Sequence, residues 1–178
     1  MTPTADTDRA GHGSGAVDDL VADLYRRHAL TLVRAAKLLL RDQEAAEDAV
    51  QDAFVGLYRA LPRLRDHDQV LPYLRAAVIN RARSVLRSRR RVLARAVQHE
   101  PPAGSAETAA MIREDQRAVI IAVARLPRRA REILVCRYYL ELSEEETANA
   151  MGVSRGTVKS TTSRATAALG RMLREGLC

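Results

Sequence analysis

The stretch VQHEPPAGSAET, residues 97–108, constrains the fold of this chain more than any other. Pro101 and Pro102 lack backbone donors and have a fixed φ, and Gly104 frees the backbone, so no continuous helix can pass through. On both sides of it apolar residues recur at helical spacing, and no segment alternates convincingly as a strand does. The expected fold is all-α: two small helical domains joined by a flexible linker, the second with a helix-turn-helix. Composition points the same way, because a chain that is 47% apolar but only 3% aromatic, with no tryptophan, must build its core from leucine, valine and alanine.

The expected elements follow from periodicity and from stop signals. Leu20, Leu24, Leu32, Ala35, Ala36 and Leu39 mark a first helix, and a second runs from about Glu44 until Pro62 ends it. A third starts at Pro72, a residue suited to a first helical turn, and continues to about Val97. Beyond the break, helices are expected near 109–125, 128–140, 144–151 and 155–174. Residues 1–17, rich in Gly, Thr, Asp and Ala without periodicity, read as a disordered tail. The expected division is thus a tail at 1–17, a first domain at 18–92, a linker at 93–113 and a second domain at 114–175.

Charge and cysteine usage exclude several classes. Twenty-nine basic against 22 acidic residues leave a net charge of +7, which suits a polyanionic partner. Cys136 and Cys178 form no CxxC or Cys/His cluster, so neither a zinc site nor a disulfide scaffold is indicated, and no cofactor is expected. Cys136 lies in the apolar context ILVCRYY and reads as a buried small residue rather than a redox sensor. His12, His28, His67 and His99 are scattered, which argues against a metal-dependent nuclease, and no enzyme activity is expected. The N-terminal MTPTADTDRAGHGSGAV lacks the apolar core of a signal peptide, and no segment approaches the roughly 20 apolar residues of a membrane span. A cytoplasmic protein without membrane contact is the expectation.

The segment LSEEETANAMGVSRGTVKS carries helix-turn-helix punctuation. Ser143 and Glu146 form a capping box, Gly152 permits the turn, and Ser154 can cap the next helix. On that helix Val158, Ala165 and Leu169 fall in one narrow arc, with Arg155, Gly156, Lys159, Ser160, Ser163 and Arg164 opposite. Any amphipathic surface helix has a polar face. This one, however, contains no Asp or Glu from Ser154 to Gly170, and its cations and hydroxyls suit phosphates and base edges in a major groove.

The first module carries two further faces. In EAAEDAVQDAFVGLYRAL, Val50, Phe54, Leu57 and Leu61 make a core stripe, while Glu44, Glu47, Asp48, Gln51 and Asp52 gather elsewhere. Acids near a helix N-terminus are favourable in their own right, but that explains Asp52 poorly; an acidic face in a basic protein suggests a protein partner with a basic surface. In YLRAAVINRARSVLRSRRRV, Leu74, Val78, Val85 and Val92 lie on one side, and Asn80, Arg83, Arg87, Arg90 and Arg91 lie nearly opposite. Arg81 and Arg89 fall toward the apolar side. Seven arginines from Arg81 to Arg95 with no intervening acid suit a phosphate backbone. Before this helix, RLRDHDQVLPY is a polar loop close to Asn80, and Tyr73 offers a stacking surface for an unstacked base.

These pieces, in this order, resemble a bacterial sigma factor of the extracytoplasmic-function type, a group of the sigma-70 superfamily that keeps only regions 2 and 4. AEDAVQDAFVGLYR is similar to the polymerase-binding part of region 2, and YLRAAVINRARSVLRSRRR to its promoter-melting and minus-10-reading helix. LPRRAREILVCRYYLELSEEETANAMGVSRGTVKSTTSRA is similar to region 4, which reads the minus-35 element. Tyr73 stands where this family often has tryptophan, and Thr161 where arginine commonly follows the GTVKS motif.

The resemblance implies a promoter-specificity subunit of bacterial core RNA polymerase that acts on duplex and single-stranded promoter DNA. It would place Glu47, Asp48, Gln51 and Asp52 on the clamp helices of the largest polymerase subunit. Leu64, Arg65, Tyr73 and Asn80 would surround a flipped minus-10 base, with Arg83 and Arg87 on backbone. Arg155, Gly156, Thr157, Lys159, Ser160, Ser163 and Arg164 would enter the minus-35 major groove. An anti-sigma factor is a further partner compatible with the family. The rival reading is a stand-alone helix-turn-helix regulator binding duplex operator DNA, which would leave the acidic helix and the Asn80 stripe without a role.

Overall fold

The computed structural model describes residues 11–64, 67–95 and 114–175. Arg65, the proline-glycine break and Cys178 lie outside these residues. Helix α1 spans Gly11–Leu40, α2 Gln43–Ala60 and α3 Val70–Arg95. After the break come α4 Glu114–Arg125, α5 Arg128–Leu134 with a π-helical turn at Val135–Tyr139, α6 Glu144–Met151 and α7 Arg155–Arg174. Among the described residues every element is helical.

Helix α1 begins at Gly11, inside the stretch expected to be an unstructured tail. Val17 and Leu20 pack on the core, and the turns before them extend a helix that is already nucleated, which avoids a second nucleation cost. Helix α2 starts where Asp42 accepts the backbone N–H of Ala45 at 3.1 Å, and it ends where Pro62 tightens the chain into a 3₁₀ turn. Ala46, Ala49, Val50, Ala53, Phe54 and Leu57 form its buried face, and the Tyr25 ring of α1 meets Phe54 edge-on at 5.1 Å. Helix α3 takes Pro72 in its first turn and buries Leu74, Val78, Ile79 and Ala82 completely. Its apolar stripe stops short of the expected end, because Val92 is 62% exposed where the last turns of α3 run past the core.

The second module forms around α5. Glu132, Ile133, Leu134, Val135 and Cys136 are all buried in succession. At about 100° per residue, five successive positions circle a helix, so this segment is covered on every side. The plain α-helix expected to residue 140 changes to a π-turn, closed by the bond from the Leu140 N–H to the Val135 carbonyl at 2.9 Å. Helices α4 and α7 close one side through Leu126, Leu134 and Ala165, with Leu169 and Met172 against them. On the other side, Ile133, Cys136, Leu140, Leu142 and Met151 join the core that α1, α2 and α3 share. The modules therefore pack on each other through one continuous apolar cluster. No described helix is long and apolar enough to cross a membrane.

Candidate nucleic-acid and partner interfaces

The helix-turn-helix is built as its sequence demands. Ser143 Oγ accepts the Glu146 N–H at 3.1 Å, and the Glu146 carboxylate accepts the Ser143 N–H at 2.7 Å. Hydrogen bonds from the Ser143 side chain and from its backbone N–H hold the Glu146 carboxyl below its ordinary value. Gly152 ends α6 at φ 62°, a left-handed conformation that any Cβ would strain. Ser154 then caps α7 through the Thr157 N–H at 3.2 Å.

With Val158 and Ala165 buried, α7 presents Arg155, Gly156, Lys159, Ser160, Ser163 and Arg164 to solvent. Thr157 differs from them. Its hydroxyl is shared with Ser154 Oγ at 2.9 Å and it is half-buried, so it stabilises the start of the helix as well as bordering the polar face. Arg164 Nε rests on the Ser160 carbonyl at 3.2 Å, and no carboxylate pairs with a cation of α7 among the described residues.

Four arginines of α3, Arg75, Arg81, Arg83 and Arg89, are engaged by acids elsewhere in the chain. Arg81 Nε donates to Asp52 Oδ2 at 2.7 Å, binding α3 to α2. Arg89 donates to Asp42 Oδ2 at 2.6 Å and to the Leu40 carbonyl at 3.4 Å, so it closes the α1–α2 corner. The Asp42 carboxyl is held below its usual value, first by the Ala45 N–H and then by Arg89. These two bonds account for the arginines that fall toward the apolar side of the helical wheel. Asp52, expected on the acidic partner face, is thereby also a ligand of Arg81, whereas Glu47, Asp48 and Gln51 stay exposed.

Of the remaining α3 positions, Asn80 and Arg87 are exposed and Tyr73 is 38% exposed, while Leu64 is half-buried against the core. Arg83 behaves otherwise. It donates through Nη1 to the Ala150 carbonyl at 2.8 Å, its Nε lies 3.6 Å from Glu132 Oε2, and its side chain is 22% exposed. Glu132, 3% exposed, also receives Arg128 at 2.6 Å. A buried carboxylate needs such partners. Arg75 reaches Glu141 at 3.5 Å from the same helix.

Glu132 and Glu141 did not stand out in the sequence as interface residues. The one usable signal was a lone acid within the apolar run REILVC, which must find a cation when that run is buried. Burial, with Glu132 adding to it, pushes the Cys136 thiol up to about 12, so it is not a reactive thiolate. Among the described residues no group of three or more His, Cys, Asp and Glu side chains is placed to hold a metal ion.

Comparison with known proteins gives this arrangement its class. Residues 24–92 match sigma-70 region 2, and residues 116–169 match sigma-70 region 4. The chain belongs to the sigma-70 family. The group within it is shown by the relatives. The chain is 35% identical over 150 residues to the ECF RNA polymerase sigma factor SigM of Mycobacterium tuberculosis, covering 84% of this chain and 75% of that one. It is 33% identical over 138 residues to the RNA polymerase sigma-E factor of Streptomyces avermitilis, covering 78% and 76%. A similar identity, 33% over 145 residues, relates it to the probable RNA polymerase sigma factor RfaY of Xanthomonas campestris pv. campestris, but that match covers only 36% of the longer protein.

The fold also matches solved sigma factors. RpoE of Bartonella quintana, seen in complex with the anti-sigma factor NepR, superposes with a TM-score of 0.71 at 23% identity, covering 85% of this chain and 97% of that one. CnrH, in complex with the cytosolic domain of CnrY, gives 0.61 at 23%, covering 93% and 95%. The chain is an extracytoplasmic-function sigma factor: it directs transcription initiation by RNA polymerase and is not an enzyme. The stand-alone regulator is set aside by the region 2 match.

Proposed function

We propose that this sigma factor grips core RNA polymerase through Glu47, Asp48 and Gln51 of α2, with Asp52 at the edge of that face shared with Arg81. Region 4 sets α7 into the minus-35 major groove, where Arg155, Lys159 and Arg164 meet phosphates or base edges and Ser160 and Ser163 add hydrogen bonds. Gly156 and Thr157 let the first turn of α7 approach the groove closely. Region 2 receives unpaired minus-10 bases beside Leu64, Arg65, Tyr73 and Asn80, with Arg83 and Arg87 on the backbone. Capturing the open strand favours melting by mass action, without ATP or covalent chemistry.

The observation that carries this reading is the carboxylate-free exposed face of α7, together with the exposed acids Glu47, Asp48 and Asp52 on α2. We place its work in the cytoplasm, on core polymerase and on promoter DNA, both duplex and single-stranded. A regulatory partner of the anti-sigma class belongs to the same reading, supported by the fold shared with the NepR-bound RpoE.

Run-off transcription from a random promoter library, with core polymerase and with or without the protein, tests it. Transcripts that depend on the protein should share spaced minus-35 and minus-10 elements. Glu47→Arg/Asp48→Arg should abolish them while leaving the Arg81–Asp52 pair intact. Start sites that survive this charge reversal unchanged would refute the α2 assignment.

A further inference from the structure

We infer that the cleft bounded by α3, α5 and the α6–α7 turn is a binding site for an oligophosphate anion, either an inorganic chain or the polyphosphate end of a nucleotide. Such a ligand is additional to polymerase and promoter, and its site does not depend on how α3 or α7 holds DNA.

The cleft concentrates positive charge from two helices. Arg83 and Arg90 lie about two turns apart on α3, Arg128 and Arg129 open α5 directly after Pro127, and all four line one cavity of about 490 Å³. That volume falls among small-molecule sites, which run from roughly 300 to 1,000 Å³. Glu132 is the one carboxylate in the lining, and it already receives Arg128 at 2.6 Å and faces Arg83 at 3.6 Å. One acid cannot neutralise four guanidiniums. Arg90 and Arg129 are exposed, and among the described residues neither pairs with a carboxylate. At the end formed by the α6–α7 turn, a Cβ added to Gly152 would meet no atom within 4 Å, so the cavity is open there.

Two of the four cations are fixed in advance. Arg83 is anchored through Nη1 on the Ala150 carbonyl at 2.8 Å, and Arg128 by Glu132. Arg90 and Arg129 keep their planar forks for a ligand, and such forks bind phosphate oxygens two at a time. The crowding of cations continues along α5. Burial first, and then the like charge of Arg41, lower the Arg131 guanidinium below its ordinary value; Arg128 adds to the shift and Glu132 opposes it. An anion in the cleft would relieve this repulsion. A single phosphate carries at most about two negative charges. A chain of phosphates matches the excess of cations better and can span from the α3 wall to the α5 wall. Because the arginines converge on a recess instead of lining up along one helix, the arrangement encloses a compact anion rather than a continuous strand.

Isothermal titration of the full chain, in magnesium-free buffer at constant ionic strength, tests the inference. Sodium tripolyphosphate should bind one per chain, more tightly than pyrophosphate and much more tightly than inorganic phosphate. Arg90→Ala/Arg129→Ala changes only exposed side chains and should weaken tripolyphosphate by about tenfold or more, since a hydrogen bond to a charged group is worth about 1.5–3 kcal/mol. Arg26→Ala/Arg59→Ala, the same loss of charge at exposed positions of α1 and α2, should leave the affinity within about twofold of the parent, because distant exposed charges are screened. Glu132→Gln should bind several-fold more tightly, a gain that a merely structural role for this acid would not produce. Tripolyphosphate should also raise the melting temperature of the parent by mass action, and that of Arg90→Ala/Arg129→Ala far less.

ATP is the arm that separates the sources. Binding as tight as that of tripolyphosphate identifies a nucleotide, and weaker binding identifies an inorganic chain; either supports the site. Equal losses in the two double variants would reduce the effect to net charge and overturn the inference. So would a cleft that ignores tripolyphosphate while single-stranded dT20 binds in an Arg90- and Arg129-dependent way, which would make it part of a strand path. Run-off transcription reads the polymerase and promoter assignments separately, so the two readings fail independently.

Discussion

Helices α3 and α7 carry the two basic faces of the molecule, and they differ in what already holds their cations. On α7, Arg155 and Lys159 are exposed with no acid beside them, and Arg164 leans on its own helix. On α3, Arg75, Arg81, Arg83 and Arg89 each reach a carboxylate elsewhere in the chain. The positive charge of α7 is spare, whereas much of that on α3 is structural before it is functional. Basic residues counted along a helix are therefore a poor measure of the charge it can offer to DNA.

The largest effect that would test this contrast belongs to α7. Lys159→Glu/Arg164→Glu should lower promoter-dependent run-off transcription by about 100-fold or more, since each lost contact costs about 1–3 kcal/mol. The melting temperature should barely move, and a clear drop would show that α7 is not spare after all. Next comes Gly152→Val, which places a β-branched residue at φ 62° with open space around it. The strain, about 1–2 kcal/mol, should lower the melting temperature and the affinity for minus-35 duplex together, because the turn aims α7.

On α3 the balance should reverse. Arg89→Ala loses its bonds to Asp42 and Leu40, and because the pair is partly exposed the cost should be only about 1 kcal/mol, a few degrees of melting temperature. Binding of α7 to duplex should be unchanged. The smallest effect is with pH. The Glu146 and Asp42 carboxyls lie below their unfolded values, so the stability they add is complete at neutral pH and is lost as pH falls from their unfolded values through their folded ones. Thermal melts between pH 7 and pH 3 should show this loss, and Ser143→Ala should reduce the Glu146 share of it, since the bond from the backbone N–H at 143 remains.

Wherever local chemistry decides the outcome, the fold was legible in the sequence. Pro62 and Pro72 bracket the loop before α3, and Ser143, Glu146, Gly152 and Ser154 set the helix-turn-helix to the residue. Membership of the sigma-70 family could likewise be read from the order of the acidic helix, the arginine helix and the GTVKS turn. The pairing of distant charges was not legible. Nothing within RARSVLRSRRR distinguishes Arg83, which turns into region 4, from Arg87, which faces solvent, because the difference lies in a carboxylate 49 positions away. The π-turn was equally hidden, since a helical period continues through VCRYY. The unexpected start of α1 at Gly11 comes from packing by Val17 and Leu20, not from the propensity of the residues before them.

That π-turn sets a rule of arithmetic for the whole second module. A π-turn is an α-helix carrying one surplus residue, and each residue of an α-helix advances the chain by about 100°. Deleting any one residue from Val135–Tyr139 would let the segment relax to a plain α-helix and swing the departing chain around the axis like the hand of a dial. The capping box, the turn and α7 would all still form, but they would point elsewhere. The compass bearing of the recognition helix is thus written upstream of it, in a residue count rather than in any side chain.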